Sequence, residues 1–386
     1  MSNERLWDLQ KTSLRDPREI WTCREQIAGL HPNSLKFRAQ KQFVELLANL
    51  GITLFVSREY ENLLISIYSN GERLIQRYTP IAHPSGIACD RENDLMYVAS
   101  TRNPNVIYEF TSSGEGLANR SKHTFLDQKL MVVARKKYYP GLYYFHDLAL
   151  ISGELFANAV GLNGVIKINM GHYKAEPIVW HPKCIEDING CPRTEANYIQ
   201  LNSIAGADSI EGSYFSASSD SISVRRPGHL NYPVDGRGVI ISGKTRETVA
   251  TGLTRPHSAR LADGKIWVAN SGYGEFGFIN GDSFEPIIKL NGWTRGVCIY
   301  GNIAFVATSR VIPRYRHYAP GLNGIVDQCG MYAISLKTGA TIGNVVWPSG
   351  NQVFAIDYIA QKRTNGLLQK SFYEKVNKHT LLAYNH

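Results

Sequence analysis

From Ile52 onward, short apolar runs such as TLFVS, LLISIYS and RLIQRYT alternate with turn-forming residues, a pattern of short strands. One unit recurs: a polar residue, a small apolar strand, a Gly- or Asp-containing turn, and an aromatic-rich strand ending in a small polar residue. It runs SGIACDRENDLMYVAS from Ser85, HDLALISGELFAN from His146, NSIAGADSIEGSYFSAS from Asn202, HSARLADGKIWVAN from His257 and RGVCIYGNIAFVAT from Arg295. A sixth first strand, DYIAQ, starts at Asp357 with no second strand after it. The three runs after Ile52 supply what it lacks, so the ends of the chain close one ring and leave no open edge. The spacing predicts an all-β fold, a six-bladed β-propeller over 51–362 closed by N-terminal strands in the last blade. Residues 1–50 are expected to be a helical segment and 363–386 a short tail.

In the helical segment, Asp16-Pro17-Arg18-Glu19 has the form of an N-cap followed by Pro at the first helical position. A second stretch from about Ser34 to Leu50 puts Phe37, Phe43, Leu46 and Leu47 near one face, with Gly51 as the stop. Most blades exceed the roughly 40–45 residues that four strands need. The excess is assigned to 112–144 and 171–200 as connections between blades, and to 219–238 and 310–328 as connections from second to third strands. All four are expected on the face where the first strands begin, and long loops on a rigid scaffold are where sites are built.

Aligning the first strands puts one residue per blade at the channel mouth: Ser85, His146, Asn202, His257, Arg295 and Asp357. All are polar although the strands continue apolar. Three readings stay open. His146, His257, Asn202 and Asp357 offer imidazole, amide and carboxylate donors to one divalent metal ion, with Ca, Mn, Fe and Zn not distinguished. Alternatively His146 and His257 serve as base and acid while Arg295 holds an anionic group. The third reading is a structural network of polar groups and ordered water. Beside the ring, Asn270, Ser271, Tyr273 and Glu275 follow the second strand of the fourth blade, in a loop loosened by Gly272 and Gly274. Glu275 is the candidate carboxylate for catalysis; Asn270, Ser271, Tyr273, Asn202, Arg260 and Ser85 are candidate substrate contacts. Asp147 is read as structural, a turn or interblade contact.

Composition narrows the partners. The formal charge is +9 and is spread out, which favours a small anionic ligand. Its densest clusters, Arg135-Lys136-Lys137 and Arg310, Arg314 and Arg316, carry no nucleic-acid module signature. Nothing fits a nucleotide cofactor loop, a GxSxG elbow or HExxH. There is no run of about 18 apolar residues to cross a membrane and no apolar signal stretch in MSNERLWDLQK, so a cytoplasmic protein is expected. Six Cys without a CxxC pair suit reduced thiols. Cys184 and Cys191 with His181 lack a fourth good zinc ligand. A homo-oligomer is compatible with all of this.

HDLA at 146–149, LNSIA at 201–205, RPHSAR at 255–260, NSGYGE at 270–275, FEP at 284–286 and TRG at 294–296 together resemble a known family. It is a largely bacterial family of hypothetical proteins with a propeller domain of unknown function, sometimes joined to TPR or sulfotransferase-like segments. The likeness spans roughly 52–360. It implies a propeller and a recurring set of motif residues: His146, Asp147, Asn202, His257, Ser258, Arg260, Asn270, Ser271, Gly272, Glu275, Arg295 and Asp357. It implies no activity. The chain departs from the pattern at Phe354-Ala355-Ile356-Asp357, where an acidic residue is expected ahead of the aspartate, so the register of Asp357 stays open. A looser likeness is to the lactonase and strictosidine-synthase propellers, from which no residues are carried over.

The sequence therefore points to an enzyme acting on a small polar, anionic substrate (a sugar acid, a natural-product or a peptide intermediate). The chemistry would be acid/base or metal-assisted, of isomerase, lyase or hydrolase type. The alternative is a non-catalytic binding or assembly module that uses the rim loops.

Overall fold

The computed structural model describes residues 31–368, apart from 103–104, 114–116, 120–123, 126–128, 140, 173–175, 230, 312 and 325–326, together with 382–384. Six sheets form the blades of a propeller. Their innermost strands are Pro84–Asp90, Phe145–Ile151, Leu201–Ala205, Pro256–Ala262, Trp293–Tyr300 and Ala355–Ala360, numbered here as blades one to six. In blade six the inner strand pairs with Ile52–Arg58, which is followed outward by Leu63–Ser69 and Leu74–Pro80. The chain's two ends thus close the ring, as the unpaired sixth repeat predicts.

Each interface between neighbouring blades carries its own apolar cluster. Trp180 of blade two stacks on Phe215 of blade three at 3.7 Å between ring centroids. Phe55 and Leu64 of blade six pack with Val98 and Phe110 of blade one. Full burial of such side chains is worth about 1.5–3 kcal/mol each, so the ring is held by its interfaces.

The helical stretch is shorter than its periodicity suggests. The helix is Lys41–Leu50, ended by Gly51 at φ 59°, and it buries Phe43 and Leu47 against blades five and six. It cannot begin at Ser34, because Arg38–Ala39 pairs with Val345–Val346 as a fifth strand on blade five. That short strand covers an exposed sheet edge. The Asp16-Pro17 segment lies outside the described residues.

One insertion sits on the other face from that expected. In blade one the third strand ends at Ser112 and the fourth is Met131–Tyr139. Residues 113–130 therefore join third to fourth strand and open opposite the first-strand starts. Within them, Leu117–Asn119 pairs with Leu382–Tyr384 near the C-terminus. Of the other three, 219–238 and 310–328 lie on the expected rim by the strands they join, but of 171–200 only the part after the fourth strand, Ile178–Trp180, does.

Two features of the inner strands set the geometry of the channel. In blades one to five the pairing slips at the ring residue or just after it: at Ser85-Gly86, His146-Asp147, Asn202, Ser258-Ala259 and Arg295-Gly296. A bulge of this kind re-aims side chains and lets consecutive residues serve different neighbours. Gly296 takes φ 81° in its bulge, and a Cβ on Gly86 would lie 2.6 Å from the Asp147 backbone. Blade six pairs without a slip from Ser57↔Ala355 to Ile52↔Ala360.

The second feature is a circle of hydrogen bonds from each blade to a backbone carbonyl at or beside the start of the next inner strand. The donors and acceptors are Ser57 Oγ to Ser85 (2.6 Å), Ser85 Oγ to Phe145 (2.9 Å) and Asn158 Nδ2 to Leu201 (2.9 Å). The circle continues with Asn202 Nδ2 to Pro256 (2.8 Å), Ser271 Oγ to Thr294 (2.6 Å) and Ser309 Oγ to Val353 (3.1 Å). Part of the polar signal read from the sequence is this stitching. Each bond contributes about 1 kcal/mol and prevents a buried carbonyl from going unsatisfied.

Candidate functional site

His146, Asn202, His257 and Arg295 come together at the upper mouth of the channel, where the first strands begin, around a cavity of about 100 Å³. Each of the four is buried, none more than 5% exposed. The imidazoles of His146 and His257 face one another with centroids 5.8 Å apart. The sixth place is taken by Phe354, whose ring lies 5.2 Å from His146, 5.5 Å from His257 and 3.5 Å from the Arg295 guanidinium carbon.

Above this ring lies a second tier, two residues earlier in each of several blades. Tyr144, Gln200, Arg255 and Trp293 precede His146, Asn202, His257 and Arg295 by one strand period and also line the cavity. Tyr144, Gln200 and Arg255 hold positive φ of 55°, 52° and 55°. Left-handed backbone is uncommon for non-glycine residues and collects at functional sites. A period-two step back from the ring would have found these residues in the sequence.

The electrostatics are one-sided. The Arg295 Nε has no hydrogen-bond partner, and no ion pair of Arg295 or Arg255 occurs among the described residues. Arg255 makes a 3.4 Å hydrogen bond to Ser218 Oγ and lies 4.1 Å over the ring of Tyr318. Glu59 is the carboxylate of the cavity wall, and it accepts from Arg102 Nε at 3.2 Å. Burial, then the Arg295 and Arg255 charges, hold the His146 imidazole well below its ordinary pKa. Burial, then Arg295, His146, Arg255 and Arg260, do the same for His257. Both imidazoles are neutral at pH 7. His257 Nδ1 lies 3.1 Å from Ser258 Oγ, which also accepts from Gly296 N at 2.9 Å. His257 Nε2 and His146 Nδ1 are left without partners.

The other candidates lie elsewhere. Asp357 sits at the opposite mouth, among Cys89, Arg91, Arg260 and Cys298. There it pairs with Arg91 and accepts from Cys89 N at 2.8 Å. The unbulged strand of blade six carries it below the ring, and Phe354 fills the vacated level. Arg260 lines the same lower mouth and clasps Asp147 through bonds of 2.7 and 3.1 Å. Asp147 also accepts from Ile204 N at 3.1 Å, so it ties blades two, three and four. Ser85 is fully buried and donates to carbonyls of Ala99 and Phe145, outside the cavity.

The NSGYGE loop is a self-contained corner. Asn270 accepts from Thr254 N at 2.7 Å and donates to Glu275 Oε2 at 2.8 Å. Ser271 donates to Thr294 O, and the Tyr273 hydroxyl donates to Asp235 at 3.0 Å. None of the four lines the cavity, and the Glu275 carboxylate is engaged by Asn270.

A resident divalent metal does not fit these residues. With Asp357 at the other mouth, the carboxylate left in the cavity wall is Glu59, which is engaged by Arg102. The Asn202 amide nitrogen donates to Ser218 Oγ and Pro256 O. The neighbouring fixed charges are guanidinium groups, which repel a cation. Among the described residues no three His, Cys, Asp or Glu side chains are grouped to hold a metal ion. Cys184 and Cys191 are free thiols, with burial pushing Cys184 up to about 12.

The basic cluster at 135–137 is engaged within the chain: Arg135 with Glu109 at 2.7 Å, Lys137 with Glu176, and Lys136 over the Tyr108 ring. No helix among the described residues is long and apolar enough to cross a membrane.

Among solved structures, the chain is similar to one in a nidogen/laminin complex, with a TM-score of 0.52 and 9% identity over 80% of this chain and 98% of that one. It is also similar to the calcium-binding protein regucalcin of Agrobacterium tumefaciens (TM-score 0.46, 10% identity, 78% and 88% covered). A gluconolactonase of Xanthomonas campestris aligns with a TM-score of 0.43 and 10% identity over 69% and 77%. At these identities the first likeness shows the fold alone, and the looser two carry no argument about chemistry. No curated protein matches the sequence. A family model described as a domain of unknown function, DUF4915, matches residues 41–368, nearly the whole described propeller, and the chain therefore belongs to that family.

Proposed function

We propose that the upper cavity binds a small oxyanion-bearing molecule and transfers protons on it through His146 and His257. The observation that carries this reading is Arg295: a buried guanidinium at the base of the cavity, with no carboxylate partner, between two neutral imidazoles. A charge buried without a counter-ion is costly, and a bound carboxylate or phosphate supplies one with bidentate geometry. Burial holds both imidazoles down first and the guanidinium charges add to it; the anion would offset that added repulsion, raising their pKa towards the range useful for acid/base work. One imidazole then takes a proton and the other gives one, which suits isomerisation, elimination or hydrolysis. Asn197, Gln200 and Asn202 add amides to the cavity wall, already bonded within the chain, and exchange of those bonds would suit a ligand that carries hydroxyls. The cavity is sized for a small molecule, not a polymer.

The test is a thermal-shift and calorimetric screen of sugar acids and their lactones, followed by turnover assays on any binder. His257→Ala should abolish turnover and leave the melting temperature nearly unchanged. Turnover unaffected by that change would sink the acid/base assignment. Binding without turnover in the wild type would favour a ligand-binding module.

A further inference from the structure

Gln352 stands between the cavity's one cation at the base and its one carboxylate. It is 1% exposed and lies two residues before Phe354, the same step that separates the second tier from the ring. With its amide oriented to suit both neighbours, its oxygen accepts from Arg295 Nη1 at 2.6 Å and its nitrogen donates to Glu59 Oε2 at 3.2 Å. The neutral amide keeps the two charges from meeting directly. Glu59 is satisfied by Arg102 on its other oxygen, while Arg295 keeps its full charge, its Nε free and its face on Phe354.

We propose that Gln352 is the specificity-determining residue of the upper cavity. As a positioning residue it holds Arg295 without a counter-ion, so that the site selects an oxyanion. This rests on the proposed function and narrows it to ligands whose charged group docks on Arg295. A carboxylate at position 352 would sit at ion-pair distance from Arg295 and take the ligand's place. A methionine would remove the hydrogen bonds and add no charge. The distinction between these two substitutions separates a selecting role from a merely structural one, because both lose the hydrogen bond to Glu59 and only one sets a negative charge against Arg295.

The experiment titrates the full chain with acetate, gluconate and inorganic phosphate by calorimetry, with glucose as the neutral control. The wild type is expected to bind gluconate or phosphate and not glucose, and the stronger of the two names the oxyanion. Gln352→Glu should weaken that binding at least tenfold, and Gln352→Met no more than about threefold. Glu59→Gln, which relieves the competing negative charge, should tighten it, so the inference does not hang on one variant's folding. Equal losses in Gln352→Glu and Gln352→Met, or no tightening in Glu59→Gln, would overturn the role of Gln352 alone. A wild type that binds none of the anions would overturn both this inference and the function it rests on.

Discussion

Both mouths of the channel carry arginines, and they differ in how that charge is matched. At the lower mouth Asp357 meets Arg91 and Asp147 meets Arg260, so every named cation has a carboxylate. At the upper mouth Arg295 and Arg255 have none, and two imidazoles keep unpartnered nitrogens. The lower cavity is the roomier, about 410 Å³ against about 100 Å³. Size therefore does not distinguish scaffold from site. A paired buried charge belongs to the scaffold, whereas an unpaired one implies that something else completes it.

The comparison breaks most visibly at Asp147. Asp147→Asn should destabilise the protein by about 2 kcal/mol, because Arg260, largely buried, would lose the carboxylate that clasps it. Urea unfolding measures this, and an unchanged midpoint would mean that the lower pair is not structural. The mirror experiment is Arg295→Met. It should leave stability unchanged or raised, since an unpaired buried cation is removed, and weaken oxyanion binding by roughly 10- to 100-fold. A loss of stability comparable to that of Asp147→Asn would erase the difference between the mouths.

The histidines sharpen the contrast through pH. Their folded-state pKa values lie well below the unfolded value of about 6.5. Above that value both states are neutral and nothing is lost. As pH falls below it the unfolded chain takes up protons first, so stability declines towards the folded pKa. A His146→Gln/His257→Gln double variant should have a shallower acid limb in melting temperature between pH 6.5 and 5. A limb identical to wild type would place the titration elsewhere.

Arg91→Ala should cost at most about 1 kcal/mol, since that arginine is half-exposed and solvent already screens its pair with Asp357. The smallest effect expected is in metal content. Elemental analysis of untagged protein should find no stoichiometric metal, and no change in His146→Ala or His257→Ala. Near-stoichiometric metal lost in both variants would reverse the argument from the donor set.

Much of this was legible in the chain itself. The repeat placed the inner strands to within about two residues, and the unpaired DYIAQ foretold the closure of blade six. His146, Asn202, His257 and Arg295 were found as a ring because a polar residue ahead of an apolar strand marks the same level in each blade. That pattern could not separate residues facing the cavity from those stitching blades together. Ser85 and Ser271 look like site residues in sequence but donate to neighbouring backbone. Glu275 looks catalytic but bonds Asn270.

What the sequence determined by itself was the period: six repeats of alternating polarity, a helix ended by Gly51 and a level of polar residues at the strand starts. Those depend on local backbone preference and side-chain alternation, which are written residue by residue. The tertiary structure alone decided register and charge pairing. Five inner strands bulge and one does not, which moved Asp357 to the lower mouth and set Phe354 in the ring. Partners such as Arg260 and Asp147, or Gln352, Arg295 and Glu59, lie far apart in the chain and meet only when the ring closes. A buried charge has no meaning until its neighbours are known, so which charges are paired is decided only in three dimensions.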